Sequence, residues 1–262
     1  MYAFDIARPT TIADAAAAMA HEGAQALGGG QTLIPSLKQR LASPETLISL
    51  TAIPEMKGVC VDDSGAVCIG GGTTHATVAA QAATHYPALA ALASHIGDPA
   101  VRSRGTLGGS LANNDPSACY PAAALGSGAT IITNTRTIVV DDYFQGMFTT
   151  ALHEGEIITE VRFPVPQRAN YQKFVQPASR FALVGVFVAQ YAGGVRVAVT
   201  GASESGVFRW EAAESALSAN FAASALDDLS VDADGMIGDL HGSPEYRAHL
   251  VKVLTRRAVA AA

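Results

Sequence analysis

Cysteine is scarce in this sequence, and no metal-ligand pattern accompanies it. Of 262 residues only three are cysteine, Cys60, Cys68 and Cys119, an odd number without Cys-x-x-Cys spacing. This arrangement indicates neither a disulfide framework nor a thiolate metal site. The seven histidines contain no His-Glu-x-x-His motif, so we expect no metal in this chain. Cys60 and Cys68 fall on two strands of a predicted hairpin, where we expect small buried side chains.

Basic runs and long apolar runs are also absent. The formal net charge is −6 and Lys and Arg form no basic cluster, which argues against the basic face that nucleic-acid binding requires. No apolar stretch is long enough to cross a bilayer, and the first residues, MYAFDIARPTT, lack the regions of a signal peptide. We expect a cytoplasmic protein that binds no nucleic acid and has no membrane span. Hydrophobic residues make up 49% of the chain, which predicts a compact globular fold.

Secondary-structure patterns divide the chain into three parts. The first, about 55 residues long, combines the Ala-rich segment ADAAAAMAHEG with short apolar stretches and predicts a small α/β unit. KGVCVDDSGAVCIGGG and ATIITNTRTIVV each alternate around a polar turn and predict two hairpins. PVPQRAN, with Pro164 and Pro166, is typical of a domain boundary. Beyond it, antiparallel strands and a final helix with Ser243 as N-cap predict an α+β domain.

Paired glycines beside a small hydroxyl residue occur twice. ALGGGQTLIP contains Gly28 to Gly30, and GTLGGSLANNDP contains Gly108 and Gly109. The first stretch lacks the third glycine of a Gly-x-Gly-x-x-Gly motif, and the next strand, TLISL, ends without an acidic residue. Both features argue against a Rossmann site. Neither stretch contains the Gly-Lys-Ser/Thr of a Walker A motif.

Two such loops are compatible with an anion cradle made of backbone. Consecutive N–H groups exposed by glycines, with a hydroxyl at Thr32, Thr106 or Ser110, can bind a diphosphate without a cationic side chain. We therefore expect a large dinucleotide to lie between two lobes, each of which offers one loop. The alternative is that both glycine clusters are tight turns.

The same residues resemble those of a known family. ALGGGQTLIPSLK is similar to the Ala-Gly-Gly-x-Ser/Thr-Leu-x-Pro loop of the FAD-binding medium subunits of molybdenum hydroxylases, the family of aerobic-type carbon monoxide dehydrogenase and xanthine dehydrogenase. RGTLGGSLANNDPSACYPAAAL resembles the Thr-Ile-Gly-Gly-Ser/Asn loop of these subunits. IGGGTTHATV, EIITEVRFP and KFVQPASRFALVGVFVA extend the resemblance, in the same order, over nearly the whole chain.

The resemblance implies an α+β protein with the two-subdomain FAD-binding fold of p-cresol methylhydroxylase type, followed by a C-terminal α+β domain. The expected FAD-binding domain covers residues 1–165, with subdomains of about 1–55 and 56–165, and the C-terminal domain covers 166–262. It assigns no catalytic residue to this chain. The residues that it places against FAD are Gly28, Gly29, Gly30, Gln31, Thr32, Leu33, Thr74, Ile96, Thr106, Leu107, Gly108, Gly109, Ser110, Asp115, Ile158 and Lys173.

Three positions depart from the family pattern. Gln31 stands where the carbon monoxide dehydrogenase subunits usually have histidine, and Gly28 stands where they usually have alanine. Cys119 falls where many relatives have an acidic residue that can bind an adenosine-side hydroxyl. We expect Cys119 to be a small buried residue near a helix start and not a redox group.

Four polar side chains near the loops have two possible interpretations each. His75 and His95 could face the cofactor, but partly exposed structural residues are expected at these positions. Arg102 and Arg104 could face the diphosphate or a partner subunit, but solvated surface arginines are expected.

The resemblance also implies a cofactor and partners. FAD, held non-covalently, is the expected cofactor of this chain, and the molybdenum cofactor and [2Fe-2S] clusters are expected in partner subunits. The expected assembly joins this chain to a small iron–sulfur subunit and a large molybdenum subunit as a dimer of heterotrimers. Electrons would reach FAD from a [2Fe-2S] cluster and leave to an external acceptor. A self-sufficient FAD-dependent oxidoreductase and a non-catalytic dinucleotide-binding module remain as alternatives.

Overall fold

A computed structural model describes residues 1–262, and the first part of the chain forms a small α/β unit. Its elements are β1 (Asp5–Ala7), α1 (Ile12–Met19), β2 (Ala24–Leu27), α2 (Leu33–Lys38) and β3 (Thr46–Ser49). The strands form a parallel sheet in the order β1-β3-β2. The Thr11 hydroxyl accepts a hydrogen bond from the Asp14 N–H (3.1 Å) and so begins α1. Sequence patterns predict every element of this unit except β1, whose three residues show no apolar alternation.

The second part is built on a five-stranded antiparallel sheet in the order β4-β5-β10-β6-β7. Its elements are β4 (Val59–Val61), β5 (Val67–Gly70), α3 (His75–Gln81), α4 (Pro87–Ser94), α5 (Pro99–Arg102), α6 (Leu107–Asn113), α7 (Cys119–Ser127), β6 (Thr130–Thr133), β7 (Thr137–Val139), β8 (Phe144–Gly146), β9 (Thr149–Thr150) and β10 (Ile158–Phe163). Strands β4 and β5 pair as one predicted hairpin, and β6 and β7 pair as the other. Both hairpin predictions are confirmed.

The cysteines of the first hairpin lie in different environments. Cys60 and Cys68 are directly opposite each other in the register of β4 and β5. Cys68 is buried, and burial raises the pKa of its thiol to about 12. Cys60 is exposed because β4 is the outer strand of the sheet. The expectation of a buried side chain is therefore confirmed for Cys68 and wrong for Cys60.

Helix α7 joins the second part of the chain to the third. All of its residues are buried, Cys119 at its start among them, as expected from the sequence. One face of α7 packs on the sheet that follows, and Gly126 lies against Phe187 so closely that a Cβ would come within 2.9 Å of the Phe187 ring. The hydrophobic core of the second part therefore continues through α7 into the third part.

The third part is a four-stranded antiparallel sheet covered by helices. Its elements are β11 (Arg168–Val175), β12 (Ala182–Tyr191), β13 (Gly194–Ser203), β14 (Gly206–Arg209), α8 (Glu211–Ala219) and α9 (Pro244–Ala261). Strand β12 is buried on both faces: Phe187 belongs to the core shared with α7, and Val186 and Val188 belong to the core under α8 and α9. The Ser243 side chain caps α9 as predicted. No helix of the chain is both long and apolar enough to cross a membrane.

Candidate functional site

A cavity of about 620 Å³ lies where the first and second parts of the chain meet. Its lining comes from a first glycine segment (residues 28–33), from all but Leu107 of a second glycine segment (residues 105–110), and from Gly71 and Gly72 of a glycine turn (residues 70–72). Lys173 and Arg180 reach it from the third part. This volume is within the range of small-molecule and cofactor pockets.

The first glycine segment connects β2 to α2 and presents its backbone to the cavity. None of the N–H groups of residues 28–33 donates a hydrogen bond within the protein. Gly30 has a φ of +73°, the left-handed conformation that glycine adopts at little cost. Thr32 stands at the start of α2, and its side chain makes no capping bond there. The segment thus offers a run of open N–H donors, as the sequence predicts for an anion cradle.

The second glycine segment is different, because it is the start of helix α6 and not a loop. All of its N–H groups except that of Thr106 already have protein acceptors, among them Thr73 O for Leu107 (3.0 Å), Gly71 O for Gly108 (2.8 Å), Thr106 Oγ1 for Gly109 (3.2 Å) and Thr106 O for Ser110 (3.0 Å). The expectation that both segments expose consecutive N–H groups is therefore wrong for the second. The run of consecutive open donors belongs to the first segment alone.

The two glycine segments touch each other. A Cβ built on Gly29 would lie 2.0 Å from the Arg104 carbonyl oxygen, and a Cβ on Gly28 would lie 2.8 Å from Thr106 Oγ1. Neither glycine has a positive φ. The tight-turn alternative thus accounts for Gly30. Gly29 is required by the close approach of two backbones, and Gly28 by contact with the Thr106 hydroxyl.

The glycines of the second segment have separate roles. A Cβ on Gly108 would lie 2.7 Å from the Gly71 carbonyl oxygen, so Gly108 allows α6 to begin directly on the glycine turn. Gly109 is exposed, and the sole atom that a Cβ there would meet is Thr106 Oγ1, at 2.8 Å. Gly109 is therefore the position from which a side chain would project into the cavity.

The structure brings together most of the residues that the resemblance places against FAD. Thr74 and Leu107 do not line the cavity: the Thr74 hydroxyl accepts the N–H of Thr77 (3.3 Å) at the start of α3, and Leu107 is fully buried in the core. The residues that do line it are Gly28, Gly29, Gly30, Gln31, Thr32, Leu33, Ile96, Thr106, Gly108, Gly109, Ser110, Asp115, Ile158 and Lys173. That these side chains and backbone groups contact FAD stays a prediction.

Two charged side chains at the cavity are oriented by backbone contacts. The Lys173 Nζ donates a hydrogen bond to the His95 carbonyl oxygen at 3.0 Å. The Asp115 carboxylate accepts the N–H of Ser117 at 2.8 Å, and its burial raises its pKa. The lining thus includes one cation and one carboxylate whose positions are set by strand β11 and by the turn after α6.

The neighbouring histidine and arginine partly contradict expectation. His95 is exposed, and desolvation of its ring, followed by the positive charges of Lys173 and Arg102, lowers its pKa. Arg102 is half-buried and donates to the Ile96 (2.9 Å) and Gly97 (3.1 Å) carbonyls, so it is a structural residue and not a solvated surface arginine. Arg104 is exposed, as expected.

A buried carboxylate, that of Glu156, also lines the cavity. The Glu156 side chain is only 1% exposed and accepts hydrogen bonds from Thr133 (2.7 Å), Thr135 (2.9 Å), Arg136 (2.9 Å) and the His153 N–H (2.8 Å). These donors, with Arg136 foremost, hold the pKa of Glu156 far below its ordinary value. The carboxylate is therefore ionised and fully engaged within the protein.

Sequence reasoning missed several residues of the cavity wall. His75 was expected to be partly exposed but is 5% exposed and lines the cavity. Gly71 and Gly72 also line it, as do residues 179–181 from the loop between β11 and β12. The stretch IGGGTTH, which resembles the family, was the signal that could have identified His75 and the glycine turn. His75 was nevertheless expected at the surface because it begins a helix of small residues.

The chain is similar to known proteins over nearly its whole length. The family profile described as the FAD binding domain in molybdopterin dehydrogenase matches residues 2–166. The chain is 34% identical to the nicotine 6-hydroxylase medium subunit of Paenarthrobacter nicotinovorans, over 97% of this chain and 95% of that protein. It is 31% identical to the carbon monoxide dehydrogenase medium chain of Afipia carboxidovorans, over 98% of this chain and 95% of that protein.

Solved structures show the same likeness. A Cu,Mo-CO dehydrogenase chain in its cyanide-inactivated form superimposes with a TM-score of 0.88 at 31% identity, over 98% of this chain and 96% of that one. Quinoline 2-oxidoreductase from Pseudomonas putida 86 gives a TM-score of 0.88 at 27% identity, over 100% and 97% of the two chains. The α+β fold and the family resemblance stated from sequence are confirmed. The chain belongs to the family of FAD-binding oxidoreductase subunits of molybdenum hydroxylases.

Proposed function

We propose that this chain is the FAD-binding medium subunit of a molybdenum-containing hydroxylase, and that it passes electrons from a [2Fe-2S] partner subunit to an external acceptor. The observation that supports this most directly is the row of open N–H donors at residues 28–33, which faces a cavity of about 620 Å³. A diphosphate needs such donors and needs no cationic side chain when the backbone supplies them. The residues present therefore fit a dinucleotide.

In this proposal the backbone of the first glycine segment binds the FAD diphosphate. Gly109 leaves space for it on the opposite side, and the hydroxyls of Thr32 and Ser110 supply further donors. Asp115 and Lys173 contact other parts of the cofactor from the turn after α6 and from β11. When bound, FAD supplies one- and two-electron redox chemistry at its isoalloxazine ring, and the protein supplies position and access.

No residue of the cavity is proposed as a general acid or base. Glu156, the most buried carboxylate of the wall, is held ionised by its hydrogen bonds and has no open lone pair to offer a substrate. Two relatives with similar sequence identity to this chain, 34% and 31%, carry the names of enzymes for different substrates, nicotine and carbon monoxide. We therefore propose that substrate is selected and hydroxylated on another subunit.

The partners follow from the names of the relatives, which are medium subunits or medium chains. We propose a small iron–sulfur subunit and a large molybdenum subunit as partners, arranged as a dimer of heterotrimers in the cytoplasm. For this chain we propose an FAD-binding domain of residues 1–165, with subdomains of about 1–55 and 56–165, and a C-terminal domain of residues 166–262. The start of β11 at Arg168, directly after two prolines, supports this division.

The cofactor is tested first, on the purified chain. We expect it to carry FAD or to bind added FAD, and acid denaturation to release all of the flavin, because the attachment is non-covalent. A colourless protein that shows no binding in an FAD titration would refute the cofactor assignment. A dinucleotide that binds without a flavin spectrum would favour the non-catalytic module.

The partnership is tested by affinity purification from the native host, with metal analysis and activity towards a dye acceptor. We expect molybdenum and iron in the eluate, with turnover by the complex and little turnover by the isolated chain. A chain that elutes without either metal and still oxidises a small substrate at about 1 to 1,000 per second would favour the self-sufficient oxidoreductase instead.

A further inference from the structure

His75 is the first residue of α3, and its imidazole forms part of the cavity wall. The residue is only 5% exposed. Its Nδ1 is fully buried and has no hydrogen-bond partner in the protein. Buried polar side-chain atoms are normally paired, and one left unpaired is costly.

The position of the ring is tightly determined by its neighbours. The imidazole packs against the Tyr120 ring in a tilted arrangement, with 5.3 Å between centroids and 52° between planes. Its Nε2–Cδ2 edge lies on Gly105, where a Cβ would come within 2.5 Å of Nε2 and 2.8 Å of Cδ2. The His75 backbone N–H donates to the Gly105 carbonyl at 2.9 Å, so the two residues are joined as a unit.

The Nε2 edge also lies beside the contact between the two glycine segments. A Cβ on Gly29 would be 2.6 Å from the Gly105 Cα, so Gly29 and the imidazole both approach the backbone of Gly105. Residues 28–33, whose N–H donors are open, begin at this contact. A ligand held by those donors would therefore lie within reach of the ring.

The protonation state of the His75 imidazole allows it to donate a hydrogen bond. Burial, with a smaller effect from the charge of Arg102, lowers the pKa of His75 to about 4. The imidazole is then neutral near pH 7 and carries one N–H. Because Nδ1 is enclosed without a partner and an unpaired donor is the rarer arrangement, the proton belongs on Nε2, the ring nitrogen that lies against Gly105.

We propose that the Nε2–H of His75 donates a hydrogen bond to a diphosphate oxygen of the dinucleotide in this cavity. This inference rests on the proposed function, since it assumes that FAD occupies the site. It makes His75 a binding residue that adds a side-chain donor to the backbone donors of the first glycine segment.

The experiment compares His75→Leu and His75→Gln with the wild type, by FAD titration and by melting of the FAD-free protein. For His75→Leu we expect the FAD dissociation constant to rise about 10- to 100-fold, the range for loss of a hydrogen bond to a charged group. The FAD-free protein should melt at the same temperature or higher, because leucine fills the space and removes an unpaired polar atom. A structural histidine predicts the reverse pattern, a lower melting temperature with unchanged FAD affinity.

His75→Gln and His75→Asn keep the test decisive if the leucine variant does not fold. The Gln amide reaches about as far as Nε2, so it should restore most of the affinity, whereas the shorter Asn amide should not. His85→Gln is the matched control, because His85 is exposed and does not line the cavity. It should leave both the FAD affinity and the melting temperature unchanged. Equal FAD affinity in all variants would overturn the inference.

Titrations with ADP and riboflavin locate the contact. We expect His75→Leu to weaken binding of ADP, which carries the diphosphate, and to leave binding of riboflavin unchanged. A loss confined to riboflavin would overturn the diphosphate assignment. If the wild-type protein binds no FAD, the proposed function fails; if the wild type binds FAD and His75→Leu binds it equally well, only the role of His75 fails.

Discussion

Gly29→Ala is the substitution for which the structure gives the sharpest expectation. The added methyl group would lie 2.0 Å from the Arg104 carbonyl oxygen and 2.6 Å from the Gly105 Cα. Contacts shorter than 3.0 Å are essentially never made by real Cβ atoms. The obstacle is backbone and not a flexible side chain. The two backbones must therefore separate by about 1 Å, the difference between the 2.0 Å contact and the 3.0 Å limit.

The magnitude follows from the cost of overpacking, which is typically about 1–3 kcal/mol. Because a whole segment must move, we expect a value near the upper end, about 3 kcal/mol. For a chain of this size that lowers the melting temperature by about 6–12 °C. Separation of the segments also displaces the open N–H donors, and loss of one hydrogen bond to a diphosphate weakens FAD binding by about tenfold or more.

The assay is thermal melting with and without FAD, together with an FAD titration. Gly193→Ala is the matched control, since a Cβ there meets no atom within 4 Å and its φ is not positive. The control should keep its FAD affinity and melt at the same temperature or slightly higher, because alanine reduces the entropy of the unfolded chain. If Gly29→Ala behaves like Gly193→Ala, the argument that two backbones meet at Gly29 is refuted.

Three further predictions concern the cavity and its supports. Gly109→Asp should abolish FAD binding, measured by flavin absorbance, while circular dichroism shows that the protein is folded, because the substitution adds negative charge to the cavity. Gly109→Asn, equal in size but neutral, should retain more FAD affinity. Glu156→Gln should lower stability by about 2–3 kcal/mol at pH 7. Since the folded pKa of Glu156 lies below its ordinary 4.5, this difference should shrink as the pH falls below 4.5 in pH-dependent denaturation, and a constant difference would contradict the ionised state. Arg247→Met should lower stability by about 2–4 kcal/mol, because the Leu183 and Gly201 carbonyls lose a buried donor at 2.7 Å each; flavin content per folded molecule should not change.

Local features of the sequence predicted most of the elements and part of the site. The two hairpins and α9 follow from alternation, turn residues and the Ser243 cap, which act over a few neighbouring residues. The run of glycines at residues 28–30 predicted an anion cradle for the same reason, since backbone exposure there depends on the absence of side chains. The three-residue strand β1 escaped prediction because its pairing with β3 is made by residues about 40 positions away.

The sequence by itself determined the glycine positions, the strand pattern and the family to which the chain belongs. Only the tertiary structure decided which glycines present open donors, because Thr73 and Gly71, the acceptors for Leu107 and Gly108, lie more than 30 residues away in the chain. It also decided that His75 is buried at the cavity wall, although a small-residue helix suggests exposure. Burial and hydrogen-bond partners are set by whatever packs from distant parts of the chain, and no local pattern contains that information.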